Sequence, residues 1–116
     1  MVIKKRDSPL FMNILALGLS FENIERVLDY PDYDNPYWCK KLIKALSILE
    51  SQYTWILDNN DGLLEDDFLN GMRSGVLSVK QLKECVEGFD YGLIQIACAN
   101  FNSSKYFLSK YIFTSR

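Results

Sequence analysis

The chain has 116 residues, of which 48% are hydrophobic and 14% aromatic, with a formal net charge of −2 and no histidine. A hydrophobic share of this size excludes an intrinsically disordered chain, and the length suffices for one hydrophobic core. We therefore expect a single domain over residues 1–116. The missing histidine removes the commonest general base and the commonest metal ligand from the available chemistry.

The N-terminal residues predict two helices in succession. Ser8 followed by Pro9 is a helix start, because serine caps free amide groups and proline loses no needed amide at the first helical position. We expect this helix to end at Gly18, since glycine is the commonest residue just past a helix C-terminus. Ser20 then caps a second helix, which stops near Pro31.

The longest predicted helix covers residues 36–58. Asn35 followed by Pro36 repeats the start signal, and apolar residues recur every three or four positions after it. Trp38 lies on this apolar stripe, so we expect its ring to turn into the core.

The second half of the chain predicts shorter helices. A turn over residues 58–62 precedes a short helix that ends at Ser74 and Gly75. Ser78 and Gln81 form a capping box, which predicts a new helix start at that point.

The C-terminal segments 93–101 and 105–113 are predicted as two helices joined through residues 102–104. The second of them is also rich in strand-forming aromatic residues, so a strand remains an alternative there. Taken together, the pattern predicts an all-α, or nearly all-α, compact bundle of about six helices.

The residues that would carry catalysis or bind a cofactor are missing. No phosphate-binding, dinucleotide-binding or nucleophile-elbow motif occurs. Cys39, Cys85 and Cys98 are widely spaced, which favours buried free thiols in a reducing compartment over a zinc site or a disulfide framework. We therefore expect a cytoplasmic, non-enzymatic protein without metal or cofactor.

The acidic residues are clustered. Five lie in residues 22–34 and five more in residues 58–67. Nucleic-acid binders usually carry a basic domain or stripe, so this pattern favours a protein partner with a basic surface and no nucleic acid. The apolar run 10–19 is too short to span a bilayer, so we expect no membrane association.

Two short segments resemble known families. Residues 18–28 resemble the opening of a bacterial helix-turn-helix, which implies a nucleic-acid-associated regulator whose next helix carries Lys40, Lys41 and Lys44. Residues 94–100 are similar to the first-helix signature of an ankyrin repeat, which implies a helical pair that turns at Phe101.

The segment 29–38 is the strongest candidate for a binding surface. It contains three tyrosines, one tryptophan, three aspartates and two prolines. Tyrosine and tryptophan are frequent at binding hot spots, and the aspartates would meet basic residues of a partner. The predicted partner-binding residues are Tyr30, Asp32, Tyr33 and Asp34, joined by Asp61, Asp66 and Asp67.

This profile leads to one main hypothesis and two alternatives. Small, acidic proteins without a catalytic motif include toxin-neutralising immunity proteins and phage inhibitors of host factors. The main hypothesis is therefore a protein that binds and blocks another protein. The alternatives are a nucleic-acid-associated regulator that uses the degenerate helix-turn-helix, and a structural or assembly subunit that forms a homodimer.

Overall fold

The computed structural model describes residues 9–60, 62, 64–88 and 90–114. It contains four helices: α1 (Pro9–Asp29), α2 (Pro36–Asn59), α3 (Asp66–Glu87) and α4 (Tyr91–Thr114). None of the described residues lies in a strand. The predicted all-α class is confirmed, and the predicted number of about six helices is wrong. Ser8, the predicted first cap, lies outside the described residues.

The four helices form an elongated bundle in which consecutive helices are antiparallel. The bundle measures 45 × 22 × 22 Å. Gly71 on α3 approaches Phe107 on α4, whereas Gln81 further along α3 bonds to Asn100. Because the residue number rises along α3 as it falls along α4, these two helices run in opposite directions. The loop between α1 and α2 and the loop between α3 and α4 therefore lie at the same end.

The predicted break at Gly18 does not occur, because α1 continues through it. The buried side chains of α1 keep helical spacing across this glycine: Leu10, Ile14, Leu17, Phe21, Ile24 and Val27. Ser20 is not a cap; its hydroxyl donates to Gln52 Oε1 on α2 at 2.7 Å. A glycine inside a helix costs about 1 kcal/mol. Burial of the continuous apolar stripe outweighs that cost.

The predicted break at Ser74 and Gly75 is likewise absent from α3. Ser78, predicted to cap a new helix, donates its hydroxyl to the Ser74 carbonyl at 3.0 Å within the same helix. Gly75 is buried, and a Cβ atom placed there would lie 3.0 Å from the ring of Tyr53 on α2. This glycine allows two helices to approach each other and does not end a helix.

The C-terminal region is one helix where two were predicted. Residues 102–104 lie inside α4, and Phe101, the expected turn of an ankyrin-like pair, is only 1% exposed. The ring of Phe101 packs edge-on against Phe21 of α1 at a centroid distance of 6.5 Å. The ankyrin-like interpretation and the strand alternative are therefore both wrong.

The predicted start of α2 is confirmed. Asn35 Oδ1 accepts a hydrogen bond of 2.9 Å from the Tyr37 amide, and Pro36 occupies the first helical position. Trp38 is buried as expected, and its indole nitrogen donates to the Val27 carbonyl at 2.9 Å. These contacts hold the end of α1 against the beginning of α2.

Candidate partner-binding surface

The loop between α1 and α2 has a defined conformation because it makes hydrogen bonds within itself. The Asn35 amide nitrogen of the backbone donates to the Asp32 carbonyl at 2.9 Å, and Asn35 Nδ2 donates to Asp32 Oδ2 at 3.1 Å. Together with the cap that Asn35 makes on α2, these bonds restrain residues 32–37. A preformed loop loses less conformational entropy when it binds a partner.

The three tyrosines of this region differ in their surroundings. Tyr33 is half-buried, and its ring meets the Trp38 ring edge-on at a centroid distance of 5.2 Å. Its carbonyl accepts a bond from Cys39 Sγ at 3.4 Å. By contrast, Tyr30 is 83% exposed and Tyr37 is 82% exposed. Tyr33 therefore anchors the loop, while the other two rings are available to a partner.

Tyr37 was not among the residues predicted from the sequence. The signal was present, because Trp38 starts the buried stripe of α2 and adjacent helical positions point about 100° apart. The buried positions that follow, including Cys39, Leu42 and Leu46, lie on the other side of Trp38 from Tyr37, so Tyr37 is directed away from the core. Its exposure follows from that register.

Three acidic residues alternate with the tyrosines along residues 29–37. Asp29, Asp32 and Asp34 are all exposed. Burial raises the pKa of the Cys39 thiol, and the nearby carboxylates of Asp32 and Asp34 raise that pKa further. The carboxylates of the loop therefore create a negative electrostatic potential at the position of this thiol.

The loop between α3 and α4 adds negative charge at the same end of the bundle. Burial raises the pKa of the Cys85 thiol, and the carboxylates of Asp90 and Glu84 contribute in the same direction. Asp90 also caps α4, because its Oδ1 accepts a bond of 3.2 Å from the Leu93 amide. We call residues 29–37 together with Asp90 the acidic tip.

Helix electrostatics separates the acids of the tip from those at the other end. Asp66 and Asp67 lie in the first turn of α3, where the helix dipole favours a negative charge. Asp29 lies at the C-terminus of α1, where the dipole disfavours it. Helix stability therefore accounts for the acids of α3 and does not account for Asp29.

The structure does not bring all the predicted binding residues together. Tyr30, Asp32, Tyr33 and Asp34 precede α2, while Asp66 and Asp67 follow it. A helix of 24 residues separates the two groups by about 36 Å at 1.5 Å per residue. Both acids of α3 are exposed, but they lie at the far end of the bundle from the tip. Asp61 lies outside the described residues.

A cavity of about 570 Å³ opens between α1 and α4 beside the acidic tip. It contains the only close pairing of a partly buried lysine with a carboxylate in the described part of these two helices, between Lys105 and Glu25. Burial lowers the pKa of Lys105 and raises the pKa of the Cys98 thiol on the same wall. Because the amine is ion-paired and the thiol stays protonated, neither group is prepared to act as a nucleophile.

Metal sites and membrane spans each have requirements with which the described residues can be compared. No group of three or more potential metal ligands is clustered there. None of the described helices combines the length and apolar character needed to cross a membrane. No protein-family profile, no curated protein and no solved structure matches the chain significantly. Function must therefore be argued from the surface itself.

The helix-turn-helix interpretation loses its geometric basis. Residues 18–28 form the second half of one long helix, and α2 runs back antiparallel to it. In a helix-turn-helix, two short helices cross at about 90–120° after a turn of three or four residues. Lys40, Lys41 and Lys44 are exposed on α2, but they are not part of such a motif.

Proposed function

We propose that this protein is a non-catalytic binding protein that engages and blocks a partner protein through the acidic tip. The partner surface is basic, with arginine or lysine side chains that meet Asp29, Asp32 and Asp34. Because the three cysteines are free thiols, we place this activity in a reducing compartment, the cytoplasm.

One observation supports this proposal above the others. Two tyrosine rings, each more than four-fifths exposed, flank a loop that carries exposed carboxylates and its own hydrogen bonds, Tyr30 at its start and Tyr37 in the first turn of α2. A large exposed ring gains contact area on binding at small entropic cost, and carboxylates select basic partners. The exposed rings of Tyr30 and Tyr37 bury little surface in the isolated chain.

Variants of the tip test the proposal. We expect Tyr30→Ala combined with Tyr37→Ala to abolish capture of the partner from an extract of the source cells. Hot-spot truncations commonly cost about 2 kcal/mol or more in binding, which weakens the complex about thirtyfold. Binding is read by quantitative pull-down against the unmodified chain.

The matched control is Tyr106→Ala on α4. Tyr106 is 67% exposed, similar to the tip tyrosines, and lies outside the tip. This variant should capture the partner as the unmodified chain does. Equal capture by the double tip variant and the unmodified chain would show that the tip is not the binding surface.

A further inference from the structure

Helix α4 carries apolar side chains on two faces. The inner face buries Ile94, Ala97, Phe101 and Leu108 in the core. The outer face exposes Leu93, Ile96 and Phe107 to 50%, 57% and 39%. A helix that packs on one side only is usually polar on the other. The outer face of α4 therefore has the composition of a second packing surface.

The middle of this outer face, from Ile96 to Phe107, has a symmetric order along the helix. The residues of the face follow one another at intervals of three or four residues, and we call them the outer row: Leu93, Ile96, Asn100, Ser103 and Phe107. The same spacing continues to the exposed Lys110. Between Ile96 and Phe107 the row is apolar at both ends and polar in the middle, so a second copy running in the opposite direction would place apolar on apolar and amide on hydroxyl there. Leu93 of each copy would lie beside Lys110 of the other, whose methylene stem can cover the leucine.

The register of such a pairing follows from the row itself. With a two-fold axis between Asn100 and Ser103, Ile96 of each copy meets Phe107 of the other. Asn100 of each copy then meets Ser103 of the other, and these two side chains can exchange hydrogen bonds. In an isologous interface every such contact occurs twice.

Helix α3 completes the surface beside α4. A groove of about 900 Å³ runs between the two helices, and Leu77 on its rim is 68% exposed. Gly71 lets the Phe107 ring settle onto α3, since a Cβ atom there would lie 2.5 Å from Phe107 Cε1. The ring is thus supported from below and presents its remaining surface outward.

The area available is sufficient for a dimer. In this register residues 91–112 of the two copies overlap, which is about 33 Å of helix at 1.5 Å per residue. Two adjacent helices each about 10 Å wide give about 650 Å² per copy, or about 1,300 Å² in total. Specific interfaces begin at about 1,200 Å². Full contact along both helices would therefore reach the lower end of the range for specific interfaces.

We propose that the α3–α4 face binds a second copy of this chain, with the two α4 helices antiparallel about an axis between Asn100 and Ser103. The self-complementary order of Ile96, Asn100, Ser103 and Phe107 favours a second copy over an unrelated partner. The acidic tips remain uncovered, because they lie at the ends of the bundle and the contact lies along its side. The dimer therefore presents two tips.

Sedimentation equilibrium from about 1 µM to about 1 mM tests this proposal. We expect a monomer–dimer equilibrium that Ile96→Asp weakens at least about tenfold, because each interface then buries two carboxylates against Phe107. Met12→Asp is the control, since Met12 is 56% exposed on α1, away from this face. A chain that stays monomeric throughout, or equal weakening by both variants, would overturn the proposal.

A charge exchange tests the antiparallel register. Ile96→Lys and Phe107→Glu should each weaken the dimer alone, and an equimolar mixture should form a heterodimer. The two positions are 11 residues apart on one helix, about 16 Å, so they can pair only between copies. Circular dichroism confirms that each variant is folded. Failure of two folded variants to associate would contradict the register.

Discussion

Tyr30 and Tyr33 are three residues apart in the same loop, yet they have different roles. The ring of Tyr33 packs edge-on against Trp38, whereas the ring of Tyr30 is 83% exposed. Aromatic pairs of this geometry contribute about 0.5–1.5 kcal/mol beyond the area they bury. From composition alone, both tyrosines were candidates for partner binding. In the structure Tyr33 holds the loop in place, and of the two rings only that of Tyr30 is exposed to a partner.

Tyr33→Ala is expected to lower the free energy of unfolding by about 1–2 kcal/mol, because it removes the ring contact that holds the loop. Tyr30→Ala is expected to change that free energy by less than about 0.5 kcal/mol. Urea denaturation followed by circular dichroism measures both. If the two variants are equally stable, the packing of Tyr33 against Trp38 does not hold the loop.

Replacement by alanine is expected to have opposite effects on stability at two glycines that lie inside helices. Gly75→Ala should destabilise the protein by about 1–3 kcal/mol, because the added Cβ meets the Tyr53 ring at 3.0 Å in a packed core. Gly18→Ala should stabilise it by up to about 1 kcal/mol, since beyond its two chain neighbours no side chain or neighbouring helix lies within 4 Å of the new Cβ and alanine favours helix. Denaturant midpoints compare the two variants. Stabilisation by Gly75→Ala would mean that the ring moves aside at little cost.

At the scale of elements, α2 was the most predictable part of the chain. Its start signal at Asn35 and its apolar stripe agree with each other, and the observed end differs from the expected one by a single residue. The other helices were divided in the wrong places. Gly18, Gly75 and residues 102–104 are helix-weakening in isolation, and the contacts that outweigh this lie on neighbouring helices. Local sequence does not contain those contacts.

The candidate surface was predictable only in part for a related reason. Composition identified the residues of the loop, and it also grouped them with Asp66 and Asp67. That grouping ignored the length of α2, which places the two clusters at opposite ends of the bundle. Asp90 could be added to the tip only once the antiparallel order of the helices was known. Clustering in sequence is therefore informative within a loop and misleading across a long helix.

At the scale of the whole molecule, several titratable groups that are buried or partly buried are expected to make the free energy of unfolding change with pH in the alkaline range. Burial raises the pKa of Cys39, Cys85 and Cys98 above the ordinary value of 9.0. It also raises the pKa of the Tyr53 phenol above 10.0. Lys105 acts in the opposite direction, because burial lowers its pKa below 10.5.

The free energy of unfolding is expected to fall as the pH rises above about 9, because the unfolded chain loses thiol and phenol protons that the folded chain keeps. Lys105 opposes this trend, since its lowered pKa makes the folded state relatively more stable as the pH rises. Four groups have a raised pKa (Cys39, Cys85, Cys98 and Tyr53), and they outnumber Lys105. Urea denaturation between about pH 8 and about pH 10 measures the slope. Cys85→Ala should reduce the slope, and a stability that is constant over this range would contradict the prediction.

The most direct test of the central claim is site-specific photo-crosslinking in the source cells. A photoreactive phenylalanine analogue is placed at position 30, at position 37 or at the control position 106, all of which are exposed tyrosines. We predict that positions 30 and 37 give one adduct with a protein other than this chain and that position 106 does not give it; an adduct between two copies of this chain from position 106 would belong to the α4 contact. Absence of an adduct with another protein from positions 30 and 37, or its formation only from position 106, would contradict the claim that the acidic tip binds a protein partner.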